Sequence, residues 1–191
     1  MARKKKQARC VFLDRDGVIN LGGNINHAQD VVLVPGAAAA IAKLKKAGFL
    51  VIVASNQGGL GERLDGSIQW KGHPLTRENL AAIHAELLKQ LGAEAAPDAI
   101  KFCPHSTSLN CECRKPKPGM LLEAAAEFGI DLAKSFMIGD RATDVEAGVA
   151  AGATGILVLS GMDGDKDRNA VPTGTQIFPS LAEAADWILS Q

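Results

Sequence analysis

The chain predicts a three-layer α/β fold, a parallel sheet with helices packed on both faces. Three observations carry that expectation. Five short apolar runs alternate with helix-like stretches. One of those runs, Phe49 to Ala54, is apolar without a break, as in a strand covered on both sides. Polar residues cluster directly after the runs, where parallel sheets collect ligands. At 191 residues there is room for one ordinary domain. We therefore expect a single domain over 1–191, with 1–8 as a flexible tail.

The elements follow in order. Cys10-Val-Phe-Leu13 is a compact apolar run that ends in an acidic turn. From Gly36 to Ala47 the chain is Ala-rich, with Ile41 and Leu44 spaced for a buried helical stripe and Gly48 as its stop. Phe49 to Ala54 is the second strand. Between Thr76 and Leu91, residues Leu80, Ile83, Leu87 and Leu91 share one helical face. Ala99 to Cys103 reads as a strand, Met120 to Phe128 as a helix and Phe136 to Ile138 as a strand. Ala142 to Ala151 is helical, Gly155 to Leu159 is a strand and Leu181 to Leu189 is a closing helix. Met162 to Thr175, with its Gly, Asp, Asn and Pro, is expected to be a surface excursion.

Composition removes several function classes. The apolar share of 47% and charged share of 22% are those of a globular protein, not of a disordered chain, a collagen or a coiled coil. Lys+Arg and Asp+Glu balance at 21 each, so no net field recruits nucleic acid or an anionic membrane. No apolar run is long enough for a membrane span. Residues 3–6 are basic but lack an apolar stretch and a cleavage site, and read as a solvated tail rather than a secretory signal. With four cysteines and no export signal, we expect a cytoplasmic protein with free thiols, acting as a monomer or weak oligomer. Cys10, alone in its apolar run, is expected to be a small core residue.

The residues after the runs are Asp14-Arg-Asp16-Gly17, Ser55-Asn56-Gln57, Cys103-Pro-His105 and Gly139-Asp140-Arg141. Asp14 and Asp16 alternate on extended backbone and start on opposite sides, but Gly17 allows a turn that brings both to one pocket. Two carboxylates there fit a cation site, an acid–base pair, or a nucleophile with its proton donor. Asp140 adds a third. Clustered carboxylates repel unless a hard divalent ion lies among them, and oxygen ligands suit Mg²⁺. A phosphoryl group in transfer calls for an ammonium, a hydroxyl and amide donors. Lys115 supplies the first, Ser55 the second, and the backbone N–H groups of Asn56 and Gln57 the third. Prolines 116 and 118 stiffen the chain around the cation. Separately, Cys103, His105, Cys111 and Cys113 put four zinc-binding side chains within eleven positions, enough to close a structural tetrahedral site that pins Arg114 and Lys115.

Asp14-x-Asp16-Gly17, Ser55-Asn56, Lys115-Pro and Gly139-Asp140-x-x-x-Asp144, in that order, resemble the four motifs of the haloacid dehalogenase-like phosphatases. The resemblance implies a Rossmann-like sheet and a division of labour. Asp14 attacks phosphorus to give an aspartyl-phosphate, while Asp16 protonates the leaving oxygen and then activates water. Asp14, the Asp16 carbonyl and Asp140 hold Mg²⁺, with Asp144 supporting them from behind. Ser55 and Lys115 hold the transferring group. No gap is long enough for a cap domain, so a capless enzyme with a zinc loop and an open mouth is expected, acting on a small phosphorylated metabolite.

The Cys103-Pro-His…Cys-x-Cys-Arg-Lys-Pro run looks like two phosphatase groups within that family, which act on D-glycero-D-manno-heptose 1,7-bisphosphate (at its 7-phosphate) and on histidinol phosphate. Lys115 to Leu122 matches the heptose group better, whereas Ser55 to Gly61 and Gly139 to Asp144 match the histidinol group as well. In this context Arg114 implies a phosphate or sugar contact, and Asn20 and Arg141 are counted with it as substrate contacts. Arg15, Arg63, Lys71 and Arg114 tip the reading toward a bisphosphate. Leu21-Gly-Gly-Asn-Ile-Asn26 departs from the aromatic turn usual in the heptose group. Glu62 to Pro74, with Trp70, Lys71 and His73, reads either as a pocket overhang or as a solvated excursion. A phospho-acceptor without turnover, as in receiver domains, would share Asp14, the hydroxyl and the Lys but would not need Asp16. A zinc-based interaction module would leave the carboxylates unexplained.

Overall fold

The structure, a computed structural model, describes residues 7–22, 25–68, 75–161 and 164–191. Its centre is a six-stranded, wholly parallel sheet. The strands are β1 (Cys10–Leu13), β2 (Leu50–Asn56), β3 (Ala99–Cys103), β4 (Phe136–Gly139), β5 (Thr154–Val158) and β6 (Gln176–Phe178). The helices are α1 (Ala37–Lys46), α2 (Arg77–Leu91), α3 (Gly119–Phe128), α4 (Ala142–Ala151), α5 (Gly164–Asp167) and α6 (Leu181–Leu189). The order across the sheet is β3-β2-β1-β4-β5-β6.

Alternation along each strand explains the three layers. Val11, Leu13, Val51, Val53 and Ile138 face a core shared with α1, α2 and α6. Cys10, Phe12, Ile52, Ala54 and Met137 face the second core with α3. Successive side chains of a strand point to opposite faces, so a run apolar at every position serves both. Each large aliphatic fully buried in this way contributes about 1.5–3 kcal/mol. Helix ends follow local chemistry. Thr76 Oγ1 accepts the Asn79 N–H at the start of α2, and Ser180 Oγ accepts that of Ala182 at the start of α6. Gly129 and Gly152, in left-handed backbone, end α3 and α4.

Two expectations need correction. The sheet has six strands, not five, because Gln176-Ile-Phe178 pairs with β5; three residues are too few to announce a strand by alternation. Ala8, counted with the tail, accepts from Asp131 N–H and donates to Gly129 C=O. Residues 1–6 lie outside the described residues, as do Trp70, Lys71 and His73. Between β1 and α1 the described residues form only a short 3₁₀ turn (Ala28–Asp30) and isolated bridges, with no inserted domain among them.

From β1 the chain builds outward through β2 to β3, then crosses to β4 on the other side of β1. The crossovers therefore diverge between β1 and β4 and leave a crevice at their carboxyl ends.

Candidate active site and metal centre

The crevice is a cavity of about 580 Å³ lined by Asp14, Asp16, Ser55, Asn56, Arg114, Lys115, Asp140, Arg141 and Asp144, with Gly22, Thr107, Pro116 and Thr143. Asp14 extends the sheet by one rung, its N–H donating to Ile138 C=O, and so stands at the end of β1 beside β4. Gly17, at φ 84°, turns the chain back; a Cβ there, or on Gly161, would collide with the Asp140 carboxylate.

Lys115 is buried beneath the carboxylates. Its Nζ lies 2.6 Å from Asp144 Oδ1 and 3.0 Å from Asp14 Oδ1, and donates to Ala54 C=O at 2.6 Å. Burial opposes its charge, but Asp14 and Asp144 outweigh burial and its pKa ends raised. Asn56 clamps the Lys115 backbone, donating to its C=O and accepting its N–H, both at 3.1 Å. Arg114 Nη1 donates to His105 C=O at 3.1 Å, in space left by the missing side chain of Gly58.

Asp14, Asp140 and Asp144 bring carboxylate oxygens within 4.8 Å of one another. Ionised, they outnumber the single ammonium by two negative charges, which a divalent cation would cancel. Without one, burial first and then Asp14 and Asp144 push Asp140 up to about 7. Burial also raises Asp144 to about 6, against the pull of Lys115. Asp14 Oδ1 is buried, and its contact with the Lys115 ammonium at 3.0 Å is an ion pair without hydrogen-bond alignment. Both Asp144 oxygens are engaged, by Lys115 and by the Arg141 N–H at 3.1 Å. The donor set fits a hard oxygen-seeking cation such as Mg²⁺.

Asp16 belongs to a neighbouring network. Arg15 grips its carboxylate in a fork, Nε to Oδ1 at 3.0 Å and Nη2 to Oδ2 at 2.8 Å, and Asn20 and Gln57 donate to it at 3.0 and 3.1 Å. Burial would raise its pKa, but the charge and hydrogen bonds of Arg15, with Asn20 and Gln57, hold it below the usual carboxylate range. Three expectations change here. Arg15 is 1% exposed and faces inward, so it is no loop cation for a second phosphate. Asn20 and Gln57 do not line the cavity, and the Gln57 N–H is spent on Cys103 C=O at 2.8 Å. Arg63 is exposed and also off the cavity, and Lys71 lies outside the described residues.

The second cluster closes as the spacing suggests. The sulfurs of Cys103, Cys111 and Cys113 lie 3.3–3.5 Å apart, and His105 Nδ1 is 3.2 Å from Cys113 Sγ and 3.6 Å from Cys103 Sγ. Those separations are too long for disulfides and near those of a tetrahedral zinc with bonds of about 2.0–2.3 Å. All four side chains converge on one point, so the fit is to a closed structural zinc.

Sequence reading passed over His84, whose Nε2 is 3.5 Å from Arg15 Nη1. Its place one turn after Leu80, at the edge of the buried stripe of α2, was the available signal. The segment after β5 was also underrated. Ser160 Oγ donates to Gly17 C=O at 2.7 Å, and Asp167 Oδ2 accepts the Ala142 N–H at 2.7 Å, capping α4.

A family model described as HAD-hydrolase-like matches residues 112–184. A D-glycero-β-D-manno-heptose-1,7-bisphosphate 7-phosphatase from Pseudomonas putida is 39% identical over 181 residues, covering 93% of this chain and 97% of its own. The Escherichia coli protein of that name is 32% identical, covering 97% and 90%. The crystal structure of D,D-heptose 1,7-bisphosphate phosphatase from Bordetella bronchiseptica, complexed with magnesium and phosphate, superposes with a TM-score of 0.83 at 33% identity, covering 95% of this chain and 98% of its own. Sheet, cavity and relatives together define a phosphoric monoester hydrolase. The chain belongs to the haloacid dehalogenase-like phosphatases, within the branch these relatives form. Among the described residues no helix is long and apolar enough to cross a membrane.

Proposed function

We propose that this protein removes the 7-phosphate of D-glycero-β-D-manno-heptose 1,7-bisphosphate by way of an aspartyl-phosphate on Asp14. The observation that carries the mechanism is the Asp14 carboxylate held 3.0 Å from the buried Lys115 ammonium at the floor of an open crevice. The substrate rests on near full-length similarity to phosphatases of that name. Arg114 and Arg141, which both line the cavity, suit a substrate with a second phosphate.

Asp14 attacks phosphorus, and the bond to the sugar oxygen breaks as Asp16 delivers a proton to it. Asp16 then takes a proton from water, which attacks the acyl phosphate and frees Asp14 and inorganic phosphate. The Ser55 hydroxyl and the Lys115 ammonium meet the charge that spreads over the transferring oxygens. Asp14, Asp140 and the Asp16 carbonyl would hold Mg²⁺, which supplies positive charge against the phosphoryl oxygens. Asp144 keeps Lys115 in place. Cys103, His105, Cys111 and Cys113 would hold zinc, which would fix the turn that leads into Arg114 and Lys115. We place the protein in the cytoplasm as a single domain, monomeric or weakly associated, in keeping with its four unbridged cysteines.

The test is a panel of phosphate esters compared by kcat/KM, with both heptose bisphosphate anomers and histidinol phosphate included. The heptose bisphosphate is expected to lead and Asp14→Asn to release no phosphate. A higher kcat/KM for histidinol phosphate would overturn the substrate assignment. Turnover by Asp14→Asn would overturn the mechanism.

A further inference from the structure

Arg15 and Gln57 are buried, polar and off the cavity wall, and the reaction sequence above gives neither of them a task. Yet they join two groups that it does use. Arg15 Nη2 donates to Gln57 Oε1 at 3.2 Å. Gln57 Nε2 donates to Ser55 Oγ at 2.8 Å and to Asp16 Oδ2 at 3.1 Å. Nε and the second Nη2 hydrogen go to Asp16, and Nη1 points toward His84 Nε2 at 3.5 Å.

The sense of these bonds matters more than their number. A guanidinium has donors only, so the Gln57 amide must turn its oxygen toward Arg15 and its NH₂ toward Asp16 and Ser55. The opposite rotamer would set oxygen against carboxylate and NH₂ against guanidinium. Ser55 Oγ thus receives a hydrogen from Gln57 and keeps its own proton. Ser55 lines the cavity, where a phosphoryl oxygen is the acceptor for that proton. The same NH₂, with the Arg15 fork, fixes the carboxylate that exchanges protons with the sugar oxygen and water.

We propose that Arg15 and Gln57 are positioning residues: the buried guanidinium sets the sense of the Gln57 amide, which aims the Ser55 hydroxyl into the crevice and holds Asp16 beside it. The inference rests on the roles given above to Ser55 and Asp16. It couples the phosphoryl-holding hydroxyl to the proton donor through one side chain, so disturbing either Arg15 or Gln57 reaches both. His84, packed on Phe102 with ring centroids 5.9 Å apart, closes the network from α2.

Kinetics with two substrates test this. An alkyl phosphate, the heptose bisphosphate, needs its leaving oxygen protonated, whereas 2,4-dinitrophenyl phosphate expels a stable anion. Since a positioned general acid is worth roughly 10²–10⁴-fold, Arg15→Met should lower kcat/KM, which reports the first transfer and not the water step common to both esters, at least about tenfold more for the alkyl ester than for the aryl ester. Arg15→Lys, which keeps the charge but not the fork, should recover only part of that difference. Gln57→Glu and Gln57→Met are both close in size to glutamine, yet their order is diagnostic. In Gln57→Glu the new carboxylate accepts the Ser55 proton and repels Asp16, so kcat should fall further than in Gln57→Met, on the order of 10²-fold as for a lost oxyanion donor. A purely structural role predicts the reverse, because the glutamate would pair with Arg15. Equal alkyl and aryl losses in Arg15→Met, or Gln57→Glu more active than Gln57→Met, would overturn the proposal. If Arg15→Met does not fold, the Gln57 pair decides alone. Wild-type protein that cleaves neither ester would instead sink the phosphatase reading on which this rests.

Discussion

Replacing Lys115 by methionine keeps most of its volume and removes the buried ammonium that pairs with Asp14 and Asp144. At an effective dielectric of about 20, its contacts at 2.6 Å to Asp144 and 3.0 Å to Asp14 are each worth about 5–6 kcal/mol before desolvation is charged against them. Taking the ammonium out of water offsets much of that, but breaking a buried pair leaves the partners uncompensated and costs about 3–5 kcal/mol. For a domain of this size that is a fall in Tm of roughly 6–20 °C. The assay is equilibrium unfolding in denaturant with EDTA present, for Lys115→Met, Asp144→Asn and the double variant. The double variant should lose less than the two single losses added, because the second change removes the carboxylate that the first left unpaired. A Lys115→Met loss under about 1 kcal/mol, or strict additivity, would show that Lys115 does not balance this cluster and would refute the charge argument.

Two further outcomes follow from the metal sites. Folded-state pKa values raised above the unfolded carboxylate range mean that protonated Asp140 and Asp144 stabilise the metal-free fold at low pH. That contribution is lost as pH rises through about 6 to 7, so Mg²⁺ should raise Tm more at pH 8 than at pH 5, and an equal shift at both would contradict the raised values. In native protein, stripping zinc with a strong chelator should expose Cys103, Cys111 and Cys113 to a thiol reagent and lower Tm, while Cys10, 0% exposed in the sheet, reacts only on unfolding. Unchanged thiol reactivity after chelation would remove the zinc.

The sheet was legible because burial on both faces writes an unbroken apolar run, as in Val51 to Ala54, and α2 because Leu80, Ile83, Leu87 and Leu91 recur on its one buried face. The carboxylates and Lys115 were legible by position, each falling at a strand end or after the cysteine cluster. What stayed hidden was direction. Nothing in Asp14-Arg15-Asp16 tells which of three adjacent polar side chains turns inward, and the inward turn of Arg15 is fixed by partners 42 and 69 residues away, Gln57 and His84. Likewise the Gln57 N–H was assigned to phosphate because its rung with Cys103 depends on how far β2 and β3 run side by side, to Asn56 and Cys103, which a composition of Ser, Asn and Gln does not reveal. β6 is pinned by its pairing with β5 rather than by its own three residues.

The stretch between β5 and β6 binds the catalytic end of the sheet from outside. Ser160 fastens the Gly17 turn, Gly161 gives the Asp140 carboxylate its berth, and Asp167 completes the first turn of α4, which carries Asp144. The expected surface excursion over 162–175 holds α4 through Asp167, and with Ser160 and Gly161 just before it the connection is a tether. Grafting it from another protein, or trimming it to make a smaller enzyme, would loosen Asp140 and Asp144 together while leaving every cavity-lining side chain in the sequence.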